Sequence, residues 1–249
     1  MAYNIFLSPS NQTDNYYAAG NTTEAVQCGR IASFCEAALK RCGFNVLTMH
    51  YYTMAQKVAR SNSWGADLHV PIHTNAFNQS VTGTRLFSYN LTGSGYKAAK
   101  AIFDFLAPLT PGRSESISAY PGLYEINYAN APTAYVEAEF HDVPSAAAWI
   151  IAHVQDIGEA ICQGICKYFG VAYVAPEAEA PEAAPDKTTD EEEAESEEPK
   201  KTKTYYRVIV EKHDETRLGS FSVEANAENL VKSLKDLGVA WVKIEKAES

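Results

Sequence analysis

The sequence predicts an α/β fold: a mostly parallel, twisted sheet flanked by helices, followed by an acidic linker and a small C-terminal βαβ module. Three observations carry that reading. Short apolar runs rich in β-branched residues alternate with amphipathic stretches long enough for helices, the rhythm of parallel strands joined by crossover helices. Several strands end in residues that carry chemistry, where open α/β sheets place their ligand crevice. Between Pro176 and Lys203, eleven acidic residues stand against four lysines, and the Pro/Ala/Glu composition cannot bury a core.

The elements follow in order. Tyr3–Leu7 reads as a buried strand, leading into the polar loop Ser8-Pro9-Ser10-Asn11-Gln12. Thr22 or Thr23 can cap a helix from about Glu24 to Arg41, which Gly43 closes. Asn45–Met49 is the next strand. A helix from about Thr53 leads to Gly65, then Leu68–His73 forms a third strand and Thr84–Tyr89 alternates as a fourth. Ser94–Leu106 is helical, with Ala98, Ile102 and Phe105 on its inner face. Thr133–Glu139 is the last internal strand. Pro144–Phe169 is expected as one long helix buried along Ile150, Val154, Ile157, Ile161 and Ile165. In the tail, Tyr205–Lys212 and Ala240–Glu245 read as strands around a helix at Asn226–Leu237. The expected division is therefore a catalytic domain over 1–174, a linker over 175–203 and a module over 204–249.

Composition narrows the function classes. The net charge is −10, of which the linker supplies −7 (four lysines less eleven acids), leaving the folded parts near neutral. No basic stripe points to nucleic acid. No run is long enough to cross a membrane, and the N-terminus reads as a strand, not a signal peptide. Cytoplasmic synthesis with release by lysis, a holin or another export route is the expectation. The five cysteines (28, 35, 42, 162 and 166) are odd in number and lack CxxC spacing, against a disulfide framework or a zinc-thiolate knot. Their spacings of seven and four put each set on one helical face, as core-filling thiols in a reducing compartment.

The chemistry-bearing positions are His73, ending a strand, Glu24, opening a helix, and Glu137, near the end of another strand. One imidazole and two carboxylates at a shared crevice suit a metal hydrolase, in which three protein ligands leave a position for water and a carboxylate takes its proton. His69 lies four strand residues from His73, about 13 Å, too far to share one ion. Glu137 and Glu139, two apart, are expected on one side of their strand, with Glu139 either a helper to Glu137 or, the favoured reading, an exposed end-of-strand charge.

In order, Thr23-Glu24, Ile72-His73-Thr74-Asn75-Ala76, and Val136-Glu137 followed by Phe140-His141-Asp142 resemble the zinc-dependent N-acetylmuramoyl-L-alanine amidases, the amidase 3 family. The resemblance spans roughly residues 3–170. It implies zinc as cofactor, His73 and Glu24 as ligands, Glu137 as the catalytic residue and peptidoglycan as the partner. Most members carry a zinc histidine after the first strand. Here Ser8-Pro9-Ser10-Asn11-Gln12 stands instead, as in a subgroup similar to phage and clostridial lysins, with Asn11 opposite the missing histidine and Gln12 one step on. Either amide oxygen could take the ligand's place, and Gln12 has the longer reach. Asn75, Glu125 and Asn127 are the substrate-binding candidates, the last two from Tyr124-Glu125-Ile126-Asn127, which resembles a segment beside the substrate groove. His141 and Asp142 are expected to brace their loop. The tail resembles half of a SPOR domain, a glycan-strand binder normally built of two βαβ halves, which suggests pairing of two tails as a homodimer. The resemblance implies cleavage between N-acetylmuramic acid and L-alanine. Its rivals are an inactive wall-binding protein and a zinc peptidase cutting within the stem peptide.

Overall fold

The computed structural model describes residues 2–176, 204–212, 214–221 and 242–248. It divides into two compact units, Met1–Ala180 and Pro181–Ser249. In the first, the chain runs through β1 (Asn4–Pro9), α1 (Glu24–Arg41), β2 (Asn45–Thr48), α2 (Met54–Trp64) and β3 (Leu68–Asn75). It continues through β4 (Arg85–Ser88), α3 (Ser94–Leu106), β5 (Ser116–Ala119), α4 (Tyr124–Tyr128), β6 (Tyr135–Phe140), α5 (Pro144–Ala152) and α6 (Val154–Phe169).

The six strands form one sheet in the order β2-β1-β3-β6-β4-β5. β2, β1, β3 and β6 run parallel, β4 pairs antiparallel with β6, and β5 runs parallel to β4. The mixed α/β architecture matches the sequence expectation. Two short elements, β5 and α4, were not anticipated: four or five residues are too few for a periodic apolar signal.

Alternation along the strands decides what each face of the sheet holds. Ile5, Leu7, Leu68, Val70 and Ile72 join the main core with apolar residues of α1, α3 and α6. Phe6 and His69 turn the other way, where Ser61 of α2 and Glu125 of α4 meet the His69 ring. Two helical glycines allow close packing of α6. A Cβ on Gly158 would come within 2.8 Å of the Cys35 backbone nitrogen, and one on Gly164 within 2.3 Å of the Ile102 Cα. All five cysteines are free and buried, as their spacing implied.

Helix boundaries follow local chemistry. α2 opens on a capping box between Thr53 and Gln56 and closes on Gly65 in the left-handed conformation. The long helix expected over Pro144–Phe169 is instead two helices. His153, at φ −119° and ψ 23°, breaks it, with its ring Nδ1 2.8 Å from the Trp149 carbonyl and its face stacked on the Trp149 indole. A side chain competing for a helical carbonyl explains a break that apolar periodicity cannot reveal.

In the second unit, β7 (Thr204–Lys212), β8 (Asp214–Phe221) and β9 (Val242–Glu248) form an antiparallel sheet in the order β8-β7-β9, with strands near both expected positions and β8 as an unanticipated addition. The Asp214–Arg217 start of β8 is polar and charged, so it carries no alternating apolar signal. The helix expected at Asn226–Leu237 and most of the acidic linker lie outside the described residues. No helix among the described residues is long and apolar enough to cross a membrane.

Candidate active site

The site assembles at the C-terminal ends of β1 and β3 and the first turn of α1. Beyond Pro9, the Ser10 amide donates to the Ile72 carbonyl at 2.9 Å, keeping the chain alongside β3 before it turns. The buried Lys57 ammonium of α2 donates to the Pro9 carbonyl at 2.5 Å, fixing the base of that turn from the far face. The two amides at the turn then part company. Asn11 donates its side-chain amide to the Tyr52 carbonyl at 2.8 Å, whereas Gln12 reaches Glu24, with Nε2 3.4 Å from Oε1.

Glu24 is the first residue of α1, where the helix N-terminus favours a negative charge. It is 1% exposed. One carboxylate oxygen lies 2.8 Å from His73 Nδ1, and Asn15 donates to the other at 2.5 Å. Burial alone would raise the Glu24 carboxyl, but His73, Ser10 and Asn15 outweigh it and hold the group below the ordinary carboxylate range.

His73 and Glu137 are cross-strand partners on β3 and β6. The Tyr135 ring stacks on the His73 imidazole at 4.8 Å between centroids and fixes its plane. Glu137 Oε2 is buried without a hydrogen-bond partner. Burial, and then the charge of Glu24, push the Glu137 carboxyl well above its ordinary range. In the metal-free centre the two carboxyls are thus pushed in opposite directions, Glu24 down and Glu137 up.

Below this cluster, on the core face, the Thr74 hydroxyl lies 2.9 Å from both the Tyr17 hydroxyl and His141 Nδ1. Tyr17 also stacks on His141 at 4.8 Å. Asp142 Oδ2 accepts from the Phe77 and Gln79 amides at 2.9 and 2.8 Å, tying down the loop after β3. His141 and Asp142 therefore brace the site. Among the described residues, three that are not glycine adopt positive φ: Asn21 at 45°, Tyr51 at 60° and Gln79 at 63°. They fall in the loops after β1, β2 and β3, so the backbone strain gathers around this rim.

The three substrate-binding candidates fall in different places. Asn75 ends β3, but its Oδ1 accepts from the Ala76 amide at 2.8 Å. Glu125 is 1% exposed and turned inward, bonded to Ser8 and lying 3.2 Å from His69 Nε2, so it is a buried member of the scaffold. Burial would raise its carboxyl, yet His69, Ser8 and Lys57 together hold it below the ordinary range. Asn127 is exposed on α4 and lines a cleft of about 330 Å³ with Tyr89, Tyr96 and Thr133. Glu139 is not an exposed charge. It is fully buried, and Oε1 accepts from the Gly83 and Phe140 amides. β6 advances three residues while β3 advances two between the pairs His73–Glu137 and Asn75–Phe140, and this bulge upsets simple alternation.

Ser10, Asn15 and Lys57 shape the centre without a signal in the sequence that marks them as its members. Tyr135 is legible as an aromatic wall or core residue, and it lies two residues before Glu137, hence on the same strand face. The donor set of one imidazole, one ionised carboxylate and one amide, beside an unpartnered buried carboxylate oxygen, fits a divalent cation with mixed nitrogen and oxygen ligands.

Comparison with known proteins places this architecture. The germination-specific N-acetylmuramoyl-L-alanine amidase of Bacillus subtilis (strain 168) is 28% identical over 119 residues, 47% of this chain and 50% of that protein. The chain thus spans about half the length of that curated relative. The catalytic domain of CwlV, an N-acetylmuramoyl-L-alanine amidase from Bacillus (Paenibacillus) polymyxa var. colistinus, superposes with a TM-score of 0.61 at 18% identity, covering 68% of this chain and 99% of that one. The catalytic domain of the CD27L endolysin targeting Clostridia difficile gives 0.56 at 20% identity, covering 66% and 97%. At these identities the structural likeness is one of fold. The family match itself runs over residues 5–167, from β1 into α6, and the chain belongs to the N-acetylmuramoyl-L-alanine amidase family, Amidase_3.

Proposed function

We propose that the protein hydrolyses the amide between the lactyl group of N-acetylmuramic acid and L-alanine in peptidoglycan. The observation that carries this reading is the meeting of Glu24 and His73 at 2.8 Å with Glu137 as the cross-strand neighbour of His73. Zinc is the cofactor, held by Glu24, His73 and the side-chain amide of Gln12, whose rotation would present Oε1 where Nε2 now lies. When bound, zinc acidifies a water and polarises a carbonyl.

The chain's own residues supply the rest. Glu137 accepts the proton of the attacking water and delivers it to the leaving nitrogen, so the same carboxyl serves as base and then acid. Its raised pKa belongs to the metal-free centre, where burial and then the Glu24 charge oppose ionisation; positive charge beside it acts in the opposite sense. Tyr135 and Asn15 keep His73 and Glu24 in place, which confines the reacting groups. The exposed rings of Tyr16, Tyr51 and Phe77, on loops around the same rim, offer apolar faces to a sugar or peptide.

The second unit serves wall retention. In its sheet, β8 and β9 are the edge strands, and such edges offer unpaired backbone groups through which two copies could join. The proposed site of action is the cell wall. Digestion of purified peptidoglycan tests the reaction: new L-alanine amino termini, abolished by a chelator and by Glu137→Gln, are expected. New amino termini within the stem peptide would assign a peptidase instead, and binding without any cleavage an inactive wall-binding protein.

A further inference from the structure

We propose that Cys42, Cys162 and Cys166 form a three-thiolate site for a soft monovalent metal ion, with copper(I) the best fit. The site is independent of the amidase reading. Cys42 caps α1 at the end remote from Glu24, eighteen residues on, which at about 1.5 Å per residue puts the two some 27 Å apart. Cys162 and Cys166 lie one turn apart on α6.

The three sulfurs converge. Cys42 Sγ lies 3.8 Å from Cys162 Sγ, and Cys162 Sγ lies 3.9 Å from Cys166 Sγ. All three fall within 4.8 Å of one another. A metal bound to three sulfurs at about 2.3 Å in a plane requires sulfur–sulfur separations of about 4.0 Å, so little rearrangement is needed. Cys162 and Cys166 are at most 1% exposed and Cys42 is 9% exposed, which leaves a dry site with one near-surface corner.

Two features separate this cluster from thiols that merely share a core. The Val174 amide donates to Cys42 Sγ at 3.3 Å, a hydrogen bond that stabilises a thiolate. The ligands are also of one kind: no histidine or carboxylate joins the sulfurs among the described residues. In the metal-free form the Cys42 thiol donates to the Val174 carbonyl at 3.9 Å, an oxygen that also accepts from Arg41 Nε at 2.8 Å. Structural zinc takes four ligands, whereas soft thiolate sets select copper(I). On binding, each ligating thiol releases its proton to solvent and the copper keeps its oxidation state, so no oxidant or reductant enters the balance.

The test is anaerobic titration of the full chain with copper(I) against a chromophoric copper(I) chelator, with ultraviolet thiolate-to-copper absorption as a second readout. One equivalent is expected to be held. Cys162→Ala and the milder Cys42→Ser should each weaken binding at least about 100-fold, beyond what loss of an outer-sphere contact costs. Cys35→Ala and His73→Ala should hold the ion as the parent does, the latter excluding the catalytic cluster. Circular dichroism establishes that each variant is folded. Failure to hold one equivalent, or retention unchanged in folded Cys42→Ser, overturns the site. Zinc(II) retained at these thiols in preference to copper(I) overturns the choice of ion.

Discussion

Gln12→Ala separates the two amides of the β1–α1 loop. Gln12 approaches Glu24 Oε1 to 3.4 Å, while the Asn11 amide is committed to the Tyr52 carbonyl at 2.8 Å. Gln12 is exposed, so its truncation should shift stability by no more than about 0.5 kcal/mol. Loss of a direct ligand should weaken zinc by about 100-fold or more, or about 2.8 kcal/mol at 1.4 kcal/mol per decade. Asn11→Ala removes a loop contact and no ligand, and should change zinc affinity by less than about tenfold. Gln12→His offers imidazole, a better zinc donor than an amide, and should tighten binding. Competition with a chromophoric chelator measures all four proteins, and thermal melts of the metal-free forms control for folding. Equal losses in Asn11→Ala and Gln12→Ala, or no loss in Gln12→Ala, would refute the assignment.

Two further outcomes rest on packing and on titration. Gly164→Ala drives a methyl into the α3 backbone at Ile102 and should destabilise by about 1–3 kcal/mol despite alanine's better helix propensity; a melt at or above the parent's would contradict the close approach. In chelated protein, Glu137→Gln should stabilise increasingly as pH rises. The parent's carboxyl is raised in the folded state, so the parent loses stability from near pH 4.3 upward, by at most about 1.4 kcal/mol per pH unit, until the folded pKa is passed. A difference that stays constant between pH 5 and 8 would mean that Glu137 is not shifted.

What could be read from the chain was what repeats or stands at an element's end. Ile5, Leu7, Val70 and Ile72 alternate, and so announce both the strands and the core face. Glu24, His73 and Glu137 stand at element ends or at a strand rim, and their order along the chain carried the family likeness. Partners drawn from separate elements left no such trace. Lys57 of α2 reaches Pro9 of β1, and His69 of β3 lies between Ser61 and Glu125. Glu139 was misplaced because a bulge in β6 interrupts the period of two on which its exposure had been inferred. The cysteines' odd number and lack of CxxC spacing argue against a zinc-thiolate knot, because such rules look only at neighbours along the chain. Their convergence depends on where the end of α1 meets α6, which local spacing does not encode.

The central claim, that Glu24 and His73 hold a divalent ion and Glu137 moves the proton, is tested most directly by measuring zinc content and hydrolysis on the same preparations. The parent and Glu137→Gln should each hold one zinc outside the cysteine cluster, His73→Ala should hold none there, and only the parent should release L-alanine amino termini from peptidoglycan. A Glu137→Gln protein that cleaves at the parent's rate, or a His73→Ala protein that keeps both that zinc and activity, would contradict it.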